Sequence, residues 1–151
     1  MIRPARPDDA PRLHELHAAS VSALCSGHYA ADVIEGWLLN RAPDGYLAEI
    51  ERGDLFVAER DGRMVGFGEA TAGKVVAVYV DPAAILQGVG RAILRHAVGL
   101  ARREHAGPVR LEATLNARDF YARAGFREIR RSAVTRNHVD IPVIVMESST
   151  A

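Results

Sequence analysis

Hydrophobic residues along the chain follow two different periods, and the changes between them outline the secondary structure. A spacing of three and four residues, which gives a helix one buried face, dominates five segments. These predicted helices span residues 8–27, 30–41, 43–53, 88–105 and 116–125. Period-two alternation or continuous β-branched runs, typical of strands, occupy most of the rest. These predicted strands span residues 2–3, 54–60, 63–70, 74–80, 109–114, 126–136 and 139–147.

Three of the strands carry a further signal about their place in a sheet. Asp61-Gly62 is a strong hairpin turn and joins the second strand to the third. The segment "KVVAVYV" (residues 74–80) is apolar at nearly every position, as in a central strand that is covered on both faces. Pro142 cannot donate a ladder hydrogen bond, so it places part of the last strand near an edge or a bulge.

The order of these elements predicts the fold class. One strand is followed by several helices, three strands, a helix, a strand, a helix and two strands. This order predicts an α/β (α+β) protein in which a mixed sheet carries helices on both faces. A chain of 151 residues is long enough for one domain with a buried core. We therefore expect a single domain over residues 1–147 and a disordered tail at residues 148–151.

Composition narrows the classes of function. Acidic and basic residues balance at 19 each, so we expect no nucleic-acid partner, since proteins that bind nucleic acids usually carry a basic excess. The single cysteine, Cys25, cannot form an internal disulfide. No apolar run approaches the roughly 18 residues of a membrane-spanning helix. These features predict a soluble, cytoplasmic protein without a membrane partner.

The stretch "LQGVGR" (residues 86–91) carries the most specific chemical signal. Four interpretations compete: a turn that binds nothing, a dinucleotide site, a nucleotide P-loop and a cradle for a pyrophosphate. The dinucleotide motif needs a third glycine where Ile93 stands, and the P-loop needs a G-K-[ST] sequence that does not follow here. The first and last interpretations remain.

Backbone chemistry favours an anion at this loop. The first turn of a helix leaves N–H donors without partners, and Gly88 and Gly90 let those donors approach a bulky ligand. Arg91 and Arg95 lie one helical turn apart at the same end. Cations oppose the helix dipole there unless an anion is bound, although solvent-exposed arginines remain the alternative. The loop therefore predicts a pyrophosphate site.

The chain resembles the GNAT superfamily of N-acetyltransferases, in particular its small single-domain bacterial members. The similarity spans nearly the whole sequence and is most specific in "VYVDPAAILQGVGRAIL" and "LNARDFYARAGFREI". It implies the acyl-CoA N-acyltransferase fold, a mostly antiparallel sheet of six to seven strands that is splayed between strands 4 and 5. Those strands correspond here to residues 74–80 and 109–114.

The resemblance also implies acetyl-CoA as co-substrate and no metal. The pantetheine arm is expected to lie in the splay, along the edge of the fourth strand, and the pyrophosphate on the glycine loop. Asn116 is expected both to contact the pantetheine and to cap the helix that follows it. The implied cofactor-binding residues are Val78, Tyr79, Val80, Leu86, Gln87, Gly88, Val89, Gly90, Arg91, Asn116 and Phe120.

Two residues before the loop glycines depart from the family pattern of Q/R-x-x-G-x-G/A. When Gly88 and Gly90 are placed on its glycines, Ile85 replaces a polar residue and Leu86 replaces a commonly small one. Ile85 removes a polar anchor and Leu86 disfavours a positive φ, while Gln87 is placed to compensate. Weaker cofactor affinity would follow. The alternative function is therefore a catalytically weakened CoA-binding sensor or interaction module.

Acetyl transfer to an amine needs a base for the ammonium proton, a donor for the carbonyl oxygen and an acid for the thiolate. By the resemblance, Tyr121 in "NARDFYARAGF" is the acid whose hydroxyl faces the sulfur. Backbone N–H groups around Tyr79 or Val80, exposed at the splay, are the expected donors to the oxygen.

The identity of the base stays open. Some relatives place a glutamate early in the fourth strand, where this chain has Lys74. Glu69, at the end of the third strand, and Glu112, on the fifth, are the candidate carboxylates, and a water chain is the other alternative. Glu112 lies on a central strand, so we expect it either to be buried with a raised pKa or to be solvated and ion-paired.

The early helices carry residues that could suggest other chemistry. His14, His17, Cys25 and His28 could be drawn as a metal cluster, but their spacing is not compact. We expect no metal, and Cys25 is expected to be a small buried hydrophobe. Residues His28-Tyr29 and Trp37 fall in the region that roofs the acceptor pocket in the family, although Trp37 is also a plain core candidate.

Together these features predict an acetyl-CoA-dependent N-acetyltransferase that acts on a primary amine. The acceptor is expected to be a small-molecule amine or a protein amine, since the sequence carries no code for one of them. The apolar last strand also suggests a homodimer formed by pairing of strands across two copies.

Overall fold

The computed structural model describes residues 1–148 and shows one seven-stranded sheet, in the order β1-β2-β3-β4-β5-β7-β6. Five α-helices pack against it. The strands are β1 (Ile2–Pro4), β2 (Leu55–Arg60), β3 (Arg63–Thr71), β4 (Lys74–Val80), β5 (Arg110–Ala113), β6 (Phe126–Arg136) and β7 (Val139–Ser148). The helices are α1 (Ala10–Leu24), α2 (Ala31–Leu38), α3 (Leu47–Arg52), α4 (Val89–Ala101) and α5 (Arg118–Arg123).

The sheet opens between its fourth and fifth strands. Five of the six strand pairings are antiparallel, and the exception is the parallel pair β4–β5. Within residues 1–148, that pair is in register only where Lys74 faces Arg110 and Val75 faces Leu111. Beyond Val75 the two strands diverge. The predicted mixed, mostly antiparallel sheet with a splay between strands 4 and 5 is therefore confirmed.

Strand β2 shows how alternation distributes the core over both faces of the sheet. Leu55 and Val57 pack in a cluster with Leu13 and Leu16 of α1. The intervening Phe56 and Ala58 belong to the cluster that α4 covers with Ile93 and Ala97. Because side chains alternate along a strand, helices α1 and α4 lie on opposite faces. This arrangement confirms the prediction of helices on both faces.

The C-terminal part of the chain differs from expectation in two ways. Helix α4 ends at Ala101 and not at His105. Ser148, predicted to begin the tail, is the last residue of β7, and its backbone N–H donates to Val109 O at 2.9 Å. Residues 149–151 lie outside the described part. Strand β7 lies between β5 and β6, and it pairs with β5 only over Ile144–Glu147, so the homodimer with pairing of the last strand across two copies stays a prediction.

The predicted edge character of Pro142 has a structural basis. Strand β7 pairs with β5 only over Ile144–Glu147, so the segment around Pro142 pairs with β6 alone. Its other side opens toward the splay. The missing N–H of proline therefore costs no ladder hydrogen bond there.

In residues 1–148, no helix is both long enough and apolar enough to cross a membrane.

Two glycines test how tightly α4 is packed on β3. A Cβ placed on Gly68 would lie 2.5 Å from Phe56 Cζ and 2.7 Å from Ile93 Cγ2, whereas one on Gly99 meets nothing within 4 Å. We expect Gly68→Ala to lower the free energy of unfolding by about 1–3 kcal/mol through overpacking. Gly99→Ala, in the exposed face of α4, should raise it by about 0.5–1 kcal/mol. Urea denaturation measures the free energy of unfolding of both variants. The same change in stability for Gly68→Ala and Gly99→Ala would contradict this packing.

Candidate functional site

Two cavities meet at the splay from opposite sides. The first, of about 560 Å³, runs along β4, the start of α4 and helix α5. The second, of about 330 Å³, lies under α1, the segment before α3 and the β6–β7 hairpin. The residues that line both are Val76, Ala77, Tyr79, Glu112 and Thr114. A ligand in one cavity can therefore reach a ligand in the other through the gap beside β4.

A β-bulge shapes this gap. Glu69 pairs with Ala77 and Ala70 pairs with Val75, so Val76 is the extra residue of β4. Asp81 N–H donates to Val65 O at 2.9 Å. Between Asp81 and Ala77, every residue of β4 pairs with one residue of β3 without a bulge. Because ladder hydrogen bonds alternate in antiparallel strands, the backbone groups of Val78 and Val80 face away from β3, toward the gap.

The N–H groups of Tyr79 and Val80, the two expected donors to the carbonyl oxygen, point to opposite sides of β4. The N–H of Val80 faces the opening, as expected for a group that contacts a ligand there. The N–H of Tyr79 points toward β3 and is ruled out as the donor. The side chain of Tyr79 lies on the face of the sheet that α1 covers, where its ring centroid is 4.3 Å from that of His17.

The glycine loop presents the start of α4 to the first cavity. The first intrahelical bond runs from Ala92 N–H to Gly88 O at 3.1 Å, so the N–H groups of Val89, Gly90 and Arg91 precede it. Gly88 has a φ of 82°, and Gly90 lies so close to Phe120 that an added Cβ would be 3.4 Å from its ring. Free donors beside a cavity are suited to an anion, and the pyrophosphate site stays a prediction.

Two tertiary contacts hold the loop, and the sequence did not reveal either. Arg60, at the end of β2, donates to the side-chain oxygen of Gln87 and to its backbone oxygen. Asp81 accepts from Ala83 N–H at 3.0 Å and from the Arg12 guanidinium at 2.7 Å, and these bonds keep the pKa of its carboxyl low. The predicted compensation by Gln87 is thus a contact with Arg60.

Leu86 has a backbone conformation that leucine disfavours. Its φ is 65° and its side chain is fully exposed, so no packing offsets the strain. We expect Leu86→Gly to raise the free energy of unfolding by about 0.5 kcal/mol, the strain relief exceeding the added chain entropy. Leu39, which is 52% exposed with a φ of −59°, is the matched control. Leu39→Gly should destabilise, and a loss at both positions in thermal unfolding would contradict the assignment of strain.

Tyr121 lies on α5 at the wall of the first cavity. The residue is 7% exposed, and its ring centroid is 5.1 Å from that of Phe120 and 6.1 Å from that of Phe126. Burial raises the pKa of its phenol well above the ordinary value. The hydroxyl therefore stays protonated at neutral pH and can act as a proton donor.

Asn116 lines the same cavity but does not cap α5, which corrects the expectation. Asn116 sits within a short 3-10 turn (Leu115–Ala117), and its side-chain oxygen accepts from the Cys25 thiol at 3.3 Å. The N-cap of α5 is Ala117. Cys25 is buried as expected, and burial raises the pKa of its thiol to about 11.

The two candidate carboxylates differ in their surroundings. Glu112 is exposed, and its carboxylate forms an ion pair with Lys74 at 2.9 Å, so the alternative that it is buried is wrong. Glu69 is half-buried in the second cavity and pairs across the sheet with Ala77. Burial, together with the charges of Glu49 and Asp54, raises the pKa of Glu69 to about 6. Glu69 is thus the carboxylate suited to accept a proton near neutrality.

The second cavity contains a polar network that the sequence did not reveal. His17 is buried, its Nδ1 lies 2.8 Å from the Tyr46 hydroxyl, and Arg41 donates to the same hydroxyl at 3.4 Å. Burial lowers the pKa of His17 to about 3, so its ring is neutral. Arg136 of β6 lines the same cavity. Separations of tens of residues hide such contacts from pattern analysis.

The other early residues have structural roles. No group of three or more His, Cys, Asp or Glu side chains in residues 1–148 is arranged to hold a metal ion. The Tyr29 hydroxyl accepts from Leu115 N–H at 3.0 Å and donates to Pro142 O. It therefore joins the segment after β5 to strand β7 near the splay. Trp37 is buried against Tyr29 and also lines the second cavity.

The first cavity brings together most of the residues predicted to bind the cofactor. Gln87 and Val89 are the exceptions, since Gln87 contacts Arg60 and Val89 is buried in the core under α4. Arg91 lines the first cavity, whereas Arg95 lines only a neighbouring one. The predicted residues on the wall are Val78, Tyr79, Val80, Leu86, Gly88, Gly90, Arg91, Asn116, Phe120 and Tyr121.

Comparison with known proteins finds one matching family model and a set of similar solved structures. A family model described as "Acetyltransferase (GNAT) domain" matches residues 25–148. No curated protein sequence gives a significant match. A structure described as a GCN5-related N-acetyltransferase, aminotransferase class II, from Rhodopseudomonas palustris superposes with a TM-score of 0.86. It is 24% identical, and the match covers 99% of this chain and 94% of that one.

Two further similar structures contain the expected co-substrate or its product. PaiA N-acetyltransferase from Thermoplasma acidophilum, in complex with coenzyme A, has a TM-score of 0.79 and 22% identity, over 98% of this chain and 97% of that one. YncA, a putative acetyltransferase from Salmonella typhimurium with acetyl-CoA, has a TM-score of 0.72 and 21% identity, over 97% and 91%. Identities this low show a shared fold. Because the family model matches most of the sequence, the chain belongs to the GNAT acetyltransferase family.

Proposed function

We propose that the protein is an acetyl-CoA-dependent N-acetyltransferase that transfers the acetyl group directly to a primary amine. The observation that carries this proposal is the meeting of two cavities beside the bulge of β4. One cavity ends at the free N–H groups of α4, and the other contains a carboxylate with a raised pKa. Direct transfer needs two substrates that approach one point from opposite sides, and this arrangement supports it.

The first cavity fits acetyl-CoA. The N–H groups of Gly90 and Arg91, with the Arg91 guanidinium, would hold the pyrophosphate, and the backbone edge at Val78 and Val80 would pair with the pantetheine amides. Phe120 would form the wall beside it. The structures of similar proteins with coenzyme A and with acetyl-CoA support this assignment.

The residues around the gap would divide the proton transfers between them. Glu69 would accept a proton from the ammonium group and leave a neutral amine as nucleophile. The N–H of Val80 or Val78 would stabilise the negative charge that develops on the carbonyl oxygen. As the C–N bond forms and the C–S bond breaks, Tyr121 would give its proton to the sulfur. The second amine proton passes to solvent, Glu69 releases its proton and Tyr121 regains one, so each completed turnover releases one proton and one thiol.

A two-part measurement tests the proposal. Calorimetric titration should show acetyl-CoA binding, and thiol release from acetyl-CoA should rise when amines from a broad panel are added. The N-acetylated product, identified by mass spectrometry, confirms the acceptor. If acetyl-CoA binds but no amine is acetylated, the protein is the alternative, a CoA-binding module. If acetyl-CoA does not bind, both functions are wrong.

A further inference from the structure

We propose that the acceptor amine also carries a carboxylate, so that the substrate is an amino acid or a closely similar zwitterion held in the second cavity. This inference rests on the proposed function and specifies its acceptor. It comes from the charges that line the cavity and from donors that the protein leaves without partners.

Two arginines of the second cavity have no counter-ion. Arg41 and Arg136 line it, and neither has a carboxylate within ion-pair distance anywhere in residues 1–148. The Nε of Arg41 is buried and makes no hydrogen bond. A guanidinium with a buried, unsatisfied donor is costly unless an anion binds it. The buried Nε of Arg41 therefore indicates a site for an anionic group, and Arg136, which is exposed and donates to Thr135 O at 2.9 Å, adds positive charge to the same cavity.

The histidine beside them adds a third donor. The Arg41 guanidinium can only donate, so the Tyr46 oxygen accepts from it and directs its own hydrogen to Nδ1 of His17. The proton of the neutral His17 ring then resides on Nε2, which is buried and without a partner. Both unsatisfied atoms of this network are thus N–H donors. A carboxylate, which only accepts, is the complementary ligand.

Carboxylates lie at another part of the same cavity. Glu69 and Glu49 both line it, and Glu69 sits beside the bulge where the two cavities meet. The charges that act on Glu69 come from Glu49, Asp54, Arg52 and Lys74, whereas Arg41 and Arg136 act on the phenol of Tyr79. Glu69 and the two arginines are therefore separated along the cavity, while Glu49 acts on Tyr46 together with Arg41.

This separation selects a ligand with both charges. An ammonium group at Glu69 would be placed for transfer, and the carboxylate of the same molecule would reach the donors of Arg41, Arg136 and His17. A polyamine or an aminoglycoside would bring further positive charge against the two arginines. Like charges without counter-ions oppose binding, so such polycations should be poor substrates.

The substrate preference is tested with matched amines. The panel contains the twenty standard L-amino acids, β-alanine and γ-aminobutyrate, together with the carboxamide and the decarboxylated amine of each active compound, spermidine and an aminoglycoside. We expect kcat/KM for the best amino acid to exceed that of its carboxamide by about 10- to 100-fold, as for loss of one charge-assisted contact. Equal values, or a preference for spermidine, would overturn the inference and leave the proposed function intact.

Two arginine variants locate the site. Arg41→Gln and Arg136→Gln should each raise KM for the amino acid by about 10-fold or more and leave KM for its carboxamide within about twofold. Arg136 is exposed on β6, so its variant should fold even if Arg41→Gln does not. Arg103→Gln, which alters an exposed arginine that lines none of the three cavities, is the control and should change neither value.

A binding experiment decides the matter without turnover. Equilibrium dialysis of labelled amino acids against the CoA-saturated protein should show saturable binding that Arg136→Gln weakens. If no amine is acetylated but this binding is present, the acceptor inference stands and the catalytic proposal fails. If amino acids neither bind nor react, while acetyl-CoA binds, the inference is wrong.

Discussion

Replacing Tyr121 by phenylalanine should lower kcat for acetyl transfer about 100-fold and leave the affinity for acetyl-CoA within about twofold. The substitution removes only a hydroxyl from a ring that stays packed against Phe120 and Phe126. Burial raises the pKa of that phenol, so the hydroxyl keeps its proton across the working pH range and can direct it to the sulfur as negative charge develops there. Water would replace it poorly as a positioned donor. Steady-state kinetics with calorimetric titration of acetyl-CoA measures both quantities.

Tyr29 provides the matched control for this variant. It is a second buried tyrosine, and its hydroxyl bridges Leu115 and Pro142 without lining either of the two meeting cavities. Tyr29→Phe should lower the free energy of unfolding by about 1–2 kcal/mol and keep kcat within about threefold at a temperature where the protein is folded. A Tyr121→Phe enzyme with nearly unchanged kcat would mean that the thiolate takes its proton from another donor.

The order of helices and strands was predictable because its signals are local, whereas the splay was implied by the family resemblance. Asp61-Gly62 fixes the β2–β3 hairpin, and the unbroken apolar run of β4 requires cover on both faces. Gly88 and Gly90 likewise predict the start of a helix whose first N–H donors are free. Each of these signals depends on neighbours within a few residues. Strand order depends on distant contacts, which is why the position of β7 between β5 and β6 escaped the sequence.

The choice between the two carboxylates shows the limit of alternation. A period of two says that Glu112 and Leu111 lie on opposite faces of β5, but it does not say how deeply each face is covered. At Glu112 the neighbouring β4 strand brings Lys74 beside the carboxylate at the exposed surface. At Glu69 the cavity wall buries the side chain instead. Only the tertiary arrangement distinguishes these surroundings.

The contacts that hold the loop and line the acceptor cavity were hidden for the same reason. Arg60 and Gln87 are 27 residues apart in sequence, and His17 and Tyr46 are 29 apart. Nothing near Arg60 or Arg41 distinguishes it from the other arginines of a chain with balanced charge. A polar cavity built from separate elements has no short motif, so its residues appear only when the elements are packed together.

Replacing Glu69 by glutamine should lower kcat/KM about 100-fold at pH 8 and remove an inflection near pH 6 from the pH profile. Burial is the main reason that the pKa of Glu69 is raised to about 6, with Glu49 and Asp54 adding to it and Arg52 and Lys74 opposing them. The base is active when deprotonated, so the wild-type rate should fall as the pH drops below 6. Glu112→Gln should still show this fall in rate below pH 6. Profiles of the three proteins with one amine separate the two carboxylates.

The same substitution should stabilise the fold at neutral pH, which distinguishes a catalytic defect from a folding defect. Because the folded-state pKa of Glu69 lies above its ordinary value, the ionised carboxylate destabilises the protein above pH 6, and this cost disappears as the pH falls through 6 toward 4.5. Glu69→Gln should therefore unfold at higher urea concentration than wild type at pH 7.5, by about 1 kcal/mol after allowance for solvent screening. The advantage should vanish near pH 4.5. A variant that is inactive and also less stable at pH 7.5 would show that Glu69 supports the fold and would leave the base to a water chain.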